Sequence, residues 1–185
     1  MQATETAQII QATQNWVSNV VIGCGFCPFA NKVFIENKIR YAVIAGTALH
    51  EHPQNVLSEL DLLAADASIE TSLVIFPDAY QHFSAYLQFL KQCERLSIRK
   101  GYEGIFQIAS FHPQYLFGDT NEEEDPANFT NRSPYPMLHL IREESLSKAV
   151  SFHPDPEGIP QRNIEFARNK GIDYMKQLLE QAKQV

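Results

Sequence analysis

Short apolar runs separated by stretches of helical period constrain this chain more than any other feature. Tyr41-Ala42-Val43-Ile44-Ala45, Ser72-Leu73-Val74-Ile75-Phe76, Ile105 to Phe111 and Met137 to Ile141 each have the length of a buried strand. A helix from about Pro53, with Val56, Leu57, Leu60, Leu63 and Ala64 on one stripe, separates the first two. A second helix separates the next pair. Asp78 is placed as its N-cap, Gln81 takes the capping-box position, and Phe83, Tyr86, Leu87, Leu90 and Cys93 line one face. Strands joined by helical crossovers are parallel by preference. The expectation is an α/β domain: one mostly parallel or mixed sheet of about four strands, flanked by helices. A long irregular connection, residues 112–136, precedes the last strand and holds Pro113, Gly118, Pro126, Pro134 and Pro136. Connections of that length are more often functional or mobile than idle.

Outside this frame an amphipathic helix opens the chain, with Ile9, Ile10, Thr13, Trp16, Val17, Val20 and Val21 at helical spacing until Gly23 and Gly25 break it. Pro28 is placed as the first residue of a short helix, with Phe29, Val33 and Phe34 on its inner side. Glu144 to Ser151 is expected as a short helix, and Pro160 to about Ala182 as one final helix. At 185 residues the chain makes one domain and has core enough without metal or disulfide staples.

The net charge of −7, with no cluster of Lys and Arg, argues against duplex nucleic acid or an anionic membrane surface as partner. Arg95 to Lys100 is most simply a helix C-terminus, where cations suit the dipole. No run approaches the roughly 18 apolar residues of a membrane span, and Met1-Gln2-Ala3-Thr4-Glu5 is not the start of a signal peptide. Three cysteines, an odd number, fit a reducing compartment, so a cytoplasmic protein is expected.

Four stretches stand out together: Gly23-Cys24-Gly25-Phe26-Cys27-Pro28-Phe29-Ala30, Ile39-Arg40-Tyr41, Phe111 to Phe117, and Asn131 to Glu143. In this combination, and over nearly the whole chain from Thr6 to Leu179, the sequence resembles the bacterial family DUF1415. The resemblance implies a proteobacterial cytosolic protein and carries no activity, substrate or cofactor with it. It centres the first motif on Cys27-Pro28-Phe29-Ala30 and leaves Cys24 outside.

Cys27 is the first candidate for chemistry. A cysteine at a helix start meets first-turn amides that stabilise a thiolate. Cys24-Gly25-Phe26-Cys27 also has dithiol spacing, although an amphipathic helix precedes it where a thioredoxin-like fold has a strand. A cysteine packing a tight turn is the plainer alternative. His112 follows the third strand, at the end of the sheet where α/β proteins bind ligands, and Pro113 fixes its backbone. It either takes part in a site or caps the strand end by hydrogen bonding to backbone. Asn131, Arg132 and Ser133, followed by Pro134-Tyr135-Pro136, form a stiffened segment in which Arg132 can grip a carboxylate or phosphate. The alternative is an ion pair with Glu122-Glu123-Glu124-Asp125. His139 shares a strand face with Met137 and Ile141, as a core residue or as a partner of Cys27 and His112.

Three functions follow. The first is a small-molecule enzyme: Cys27 as nucleophile or redox thiol, His112 or His139 as base, and Asn131, Arg132, Ser133 and Tyr135 holding a small anionic substrate. The second is a metal site of Cys27, His112 and His139. The third is an interaction module whose acidic loop docks a partner, with Phe111, Tyr115, Phe117 and Phe129 as its aromatics. No motif names a cofactor.

Overall fold

The computed structural model describes residues 3–118 and 122–185. Asp119, Thr120 and Asn121, within the long connection, lie outside the described residues, as do Met1 and Gln2. Among the described residues, β1 (Ile39–Val43), β2 (Thr71–Ile75), β3 (Phe106–Phe111) and β4 (Met137–Arg142) form one four-stranded sheet in the order β1-β2-β4-β3. β1 and β2 are parallel, and β4 runs antiparallel to both β2 and β3. The three strands joined by helices therefore point the same way, and β4 lies reversed between two of them. The sheet is mixed.

The helices are α1 (Ala3–Trp16), α2 (Ala30–Ile35), α3 (His52–Ala65), α4 (Phe83–Lys100), α5 (Glu143–Ser151), α6 (Ile159–Lys170) and α7 (Ile172–Lys183). Strand alternation sends Val74, Leu138, Leu140 and Phe106 to one face of the sheet, where Val56 and Leu60 of α3 and Tyr86, Phe89 and Cys93 of α4 cover them. Leu73, Ile75 and Met137 point the other way, into a core with Trp16 of α1 and Met175 and Leu179 of α7. Arg142 closes the end of β4 by donating to the carbonyls of Ile69 and, at 2.9 Å, Asp66 beyond the C-terminus of α3.

Several local expectations give way to specific geometry. The opening helix continues past Trp16 as a π-helix, Val17–Ile22, whose wider turn includes a 3.0 Å bond from the Gly23 amide to the Ser18 carbonyl. A Cβ on Gly23 would stand 2.3 Å from the Asn19 carbonyl oxygen, so this turn needs glycine. Pro28 and Phe29 form a turn, and α2 begins only at Ala30. Asp78 does not cap α4. Its carboxylate accepts the Gly46 amide at 2.7 Å, and Tyr80 turns the chain with φ 58° before α4 starts at Phe83. The expected final helix is two, because Gly171 (φ 82°, ψ 164°) breaks it.

The long connection is less irregular than expected. It holds a 3-10 helix, Pro126–Thr130, capped by the Asp125 carboxylate accepting the Ala127 amide at 2.9 Å. Arg168 of α6 clasps the same carboxylate through two bonds of 3.1 and 2.6 Å and holds its titration below the usual carboxylate range.

Candidate functional site

On the α1 face, the sheet and its helices do not close up everywhere. β2, β3 and β4 instead floor an apolar cavity of about 710 Å³, walled by the π-helix, α2 and α5. Neither α2 nor α5 has a fully buried residue. Leu146, Ala149 and the largely exposed Phe152 lead from α5 into this space, and Val33 faces it from α2. Two helices with apolar residues over a cavity of this size match the general form of a small-molecule site.

Cys27 and His139 both line this cavity. No hydrogen bond joins them among the described residues. His139 lies directly across from Leu73 on β2 and Ala109 on β3. Its Nε2 is 2.6 Å from the Thr71 hydroxyl oxygen, which is itself 2.6 Å from the Leu140 carbonyl oxygen. A carbonyl only accepts, so the single Thr71 proton goes to Leu140 and His139 donates its Nε2–H to Thr71. Nδ1 is then an unprotonated acceptor, with no partner among the described residues. Burial lowers the His139 titration to about 4, so the imidazole is neutral at physiological pH.

For Cys27 the geometry reverses the sign expected of a helix-start cysteine. The backbone amides of Phe29 and Ala30 favour the thiolate, yet burial outweighs them and raises the pKa above the ordinary thiol value. At physiological pH the pair is a neutral thiol and a neutral imidazole. Cys24 lines a different, smaller cavity of about 270 Å³, with His153, Arg162 and Phe166. The structure does not bring the two cysteines of the dithiol spacing to one cavity. Cys93 is buried in the opposite core, its pKa pushed up to about 12.

His112 lies across the sheet from this cavity, beside the rings of Phe83 and Tyr86 on the α4 side. Its Nδ1 accepts the Gln114 amide at 2.9 Å, which leaves Nε2–H to donate to the Tyr80 carbonyl at 2.8 Å. Both ring nitrogens are engaged, and the ring is fully buried. His112 caps the strand end and holds the left-handed turn at Tyr80. It does not meet Cys27 or His139. Among the described residues, no group of three or more His, Cys, Asp or Glu side chains could hold a metal ion.

Arg132 is engaged within the connection itself. Nε donates to the Tyr115 carbonyl at 3.2 Å, a terminal nitrogen donates to the Glu123 carbonyl at 2.8 Å, and the guanidinium stacks 4.6 Å over Phe129. The Arg132 contact to the acidic run is thus to backbone, and the ion pairs of that run are Asp125 with Arg168 and, at 3.8 Å, Glu124 with Lys176. Asn131 donates to the Ser110 carbonyl, and buried Ser133 donates to the carbonyl of half-buried Tyr135. None of these four residues lines the large cavity.

Sequence reasoning missed Thr71, Trp16 and the charged mouth. Thr71 is diagonal to His139 across the β2–β4 ladder, a neighbour visible only once the register is known. Trp16, the single tryptophan, lines the cavity and donates its indole N–H to the Arg132 carbonyl at 3.0 Å. At the mouth, Lys38 pairs with Glu36 at 2.8 Å and Lys32 with Glu36 at 4.0 Å. Lys148 of α5 also lines the cavity and has no ion-pair partner among the described residues.

Among the described residues, no helix is long and apolar enough to cross a membrane. A family model described as a protein of unknown function (DUF1415) matches residues 8–177. No curated protein and no solved structure matches the chain.

Proposed function

The chain belongs to the DUF1415 family, whose description names no activity, and from its own residues we propose that it is a small-molecule enzyme working in the cavity between the sheet, α2 and α5. One observation carries this reading: a single apolar cavity is lined by both a thiol, Cys27, and an imidazole with a free acceptor nitrogen, His139. The substrate has an apolar body suited to the walls and an anionic group that meets Lys148 at the mouth. Arg132, Asn131, Ser133 and Tyr135 act on the site indirectly, by fixing the connection whose Arg132 carbonyl anchors Trp16. We place the protein in a bacterial cytoplasm, where three free cysteines remain reduced.

In the proposed reaction the Cys27 sulfur adds to a carbonyl carbon of the substrate: the S–C bond forms as the C=O π bond opens onto oxygen, the thiol proton goes to Nδ1 of His139, and Nδ1 passes it on to that oxygen. Because burial disfavours thiolate, the proton departs as the bond forms, and the resting enzyme stores no thiolate–imidazolium pair.

The test is the alkylation rate of Cys27 against pH, in a Cys24→Ser, Cys93→Ser background. The expected profile lies on the alkaline side of an ordinary thiol, with a rate in folded protein that drops in His139→Phe. Alkylation seen only after unfolding would make Cys27 a packing residue and end the thiol mechanism.

A further inference from the structure

We propose that the ligand of this cavity carries, besides its anionic end, a hydroxyl or equivalent hydrogen-bond donor that His139 Nδ1 accepts, so that the substrate class is a hydroxylated apolar acid. This rests on the cavity reading above and deepens it: with the substrate O–H seated on Nδ1, the Cys27 proton travels through that hydroxyl, which gives its own proton to Nδ1 as it takes the thiol's. The argument is one of polar satisfaction. Thr71 and the Leu140 carbonyl fix the His139 tautomer, since only one arrangement of protons satisfies both 2.6 Å contacts. That arrangement leaves an acceptor, and only an acceptor, on the floor of the cavity. The residues beside His139 on the sheet, Leu73, Ala109, Phe111 and Ile141, carry no side-chain donor. A ligand that buries this nitrogen without donating to it leaves a polar atom unsatisfied, whereas one with a well-placed O–H does not.

The opposite face of the sheet gives the contrast. There His112 has a protein partner on each nitrogen. His139 has a protein partner on one nitrogen and cavity on the other.

The experiment is calorimetric titration of the full chain with three acids of one shape, para-hydroxyphenylpropanoate, para-methoxyphenylpropanoate and phenylpropanoate. Trp16 fluorescence reports whether each enters the cavity. The hydroxyl compound is expected to bind about 3- to 10-fold tighter than the other two, the worth of one hydrogen bond. His139→Phe should abolish that preference, with binding of phenylpropanoate retained. Thr71→Val, which removes the acceptor that fixes the tautomer, should shrink the preference while the chain stays folded. Equal affinity for all three, tighter binding of the methoxy or unsubstituted acid, or no binding with unchanged Trp16 emission overturns the proposal. The neutral para-propylphenol separates the readings. If it binds as well as the acid, the anionic part of the substrate falls and the donor stands. If the donor preference holds while Cys27 is inert to alkylation, the thiol mechanism falls alone.

Discussion

The two faces of the sheet each carry a histidine, and the two histidines are built to opposite ends. On the α3–α4 face, His112 is fully buried among Phe83, Tyr86 and the Tyr80 turn, with both nitrogens bonded to backbone. On the other face, His139 is fixed by one nitrogen and leaves the second to a cavity of about 710 Å³. The rings over the first face interlock: Phe76 meets Phe89 at 5.0 Å and Tyr80 stacks on Phe89 at 4.1 Å. The second face has space and two helices with no buried residue. One face gives stability and the other gives room, and the middle strands β2 and β4 serve both through their alternation.

The sharpest way to break this comparison is to truncate an aromatic on each face. Phe76→Ala, deep in the packed face, is expected to cost about 3–5 kcal/mol in urea unfolding. Phe111→Ala, half-buried beside the cavity, should cost under about 2 kcal/mol. Equal losses would mean that the cavity face is as tightly packed as the other.

Acid titration comes next. His139 takes up its proton near 6.5 when unfolded and near 4 in the fold, so between these values the unfolded chain holds more protons. Stability is therefore full above 6.5 and is lost as the pH falls toward about 4. At roughly 1.36 kcal/mol per pH unit this loss is about 3 kcal/mol. Buried His112 and His52, both lowered by burial, push in the same direction. His139→Phe should flatten the part due to His139, measured as the urea midpoint across that range.

Removing the two rings should separate their roles. His112→Ala orphans the Tyr80 carbonyl and the Gln114 amide and is expected to cost about 2–3 kcal/mol, while His139→Ala, which breaks a single hydrogen bond, to Thr71, should cost about 1 kcal/mol. Enlargement gives the last contrast, and its cavity-side arm is the smallest effect of all. Ala42→Leu, on the β1 face beneath α3, should destabilise by about 1–3 kcal/mol, whereas Ala109→Leu, which grows into the cavity, should be near neutral. Thermal unfolding of the two variants side by side checks this.

The strands and the α/β class were legible because buried strands leave short apolar runs and helices leave a period, and both signals are local. Cys27 and His139 were legible as chemistry-bearing types, and their meeting at one cavity required the order β1-β2-β4-β3, which no local signal encodes. His112 and Arg132 show the limit from the other side. Both have functional chemistry and a suggestive place in the chain, but their partners are backbone carbonyls and an amide, which any sequence could supply. The break in the final helix was visible as Gly171, yet a glycine inside a helical pattern is tolerated often enough that its positive φ had to be seen.

The central claim is that Cys27 opens onto a working cavity on one face of the sheet. The most direct measurement is the rate at which N-phenylmaleimide, an apolar reagent, labels Cys27 in folded protein, compared between Ala109→Phe and the unaltered chain, both in the Cys24→Ser, Cys93→Ser background. Ala109 lies directly across from His139 and lines the cavity, so a phenyl ring there fills part of its floor from a strand that does not carry Cys27. The account predicts labelling of the folded chain and a steep fall in Ala109→Phe at unchanged stability. Equal rates in the two proteins, or labelling only on unfolding, would contradict it.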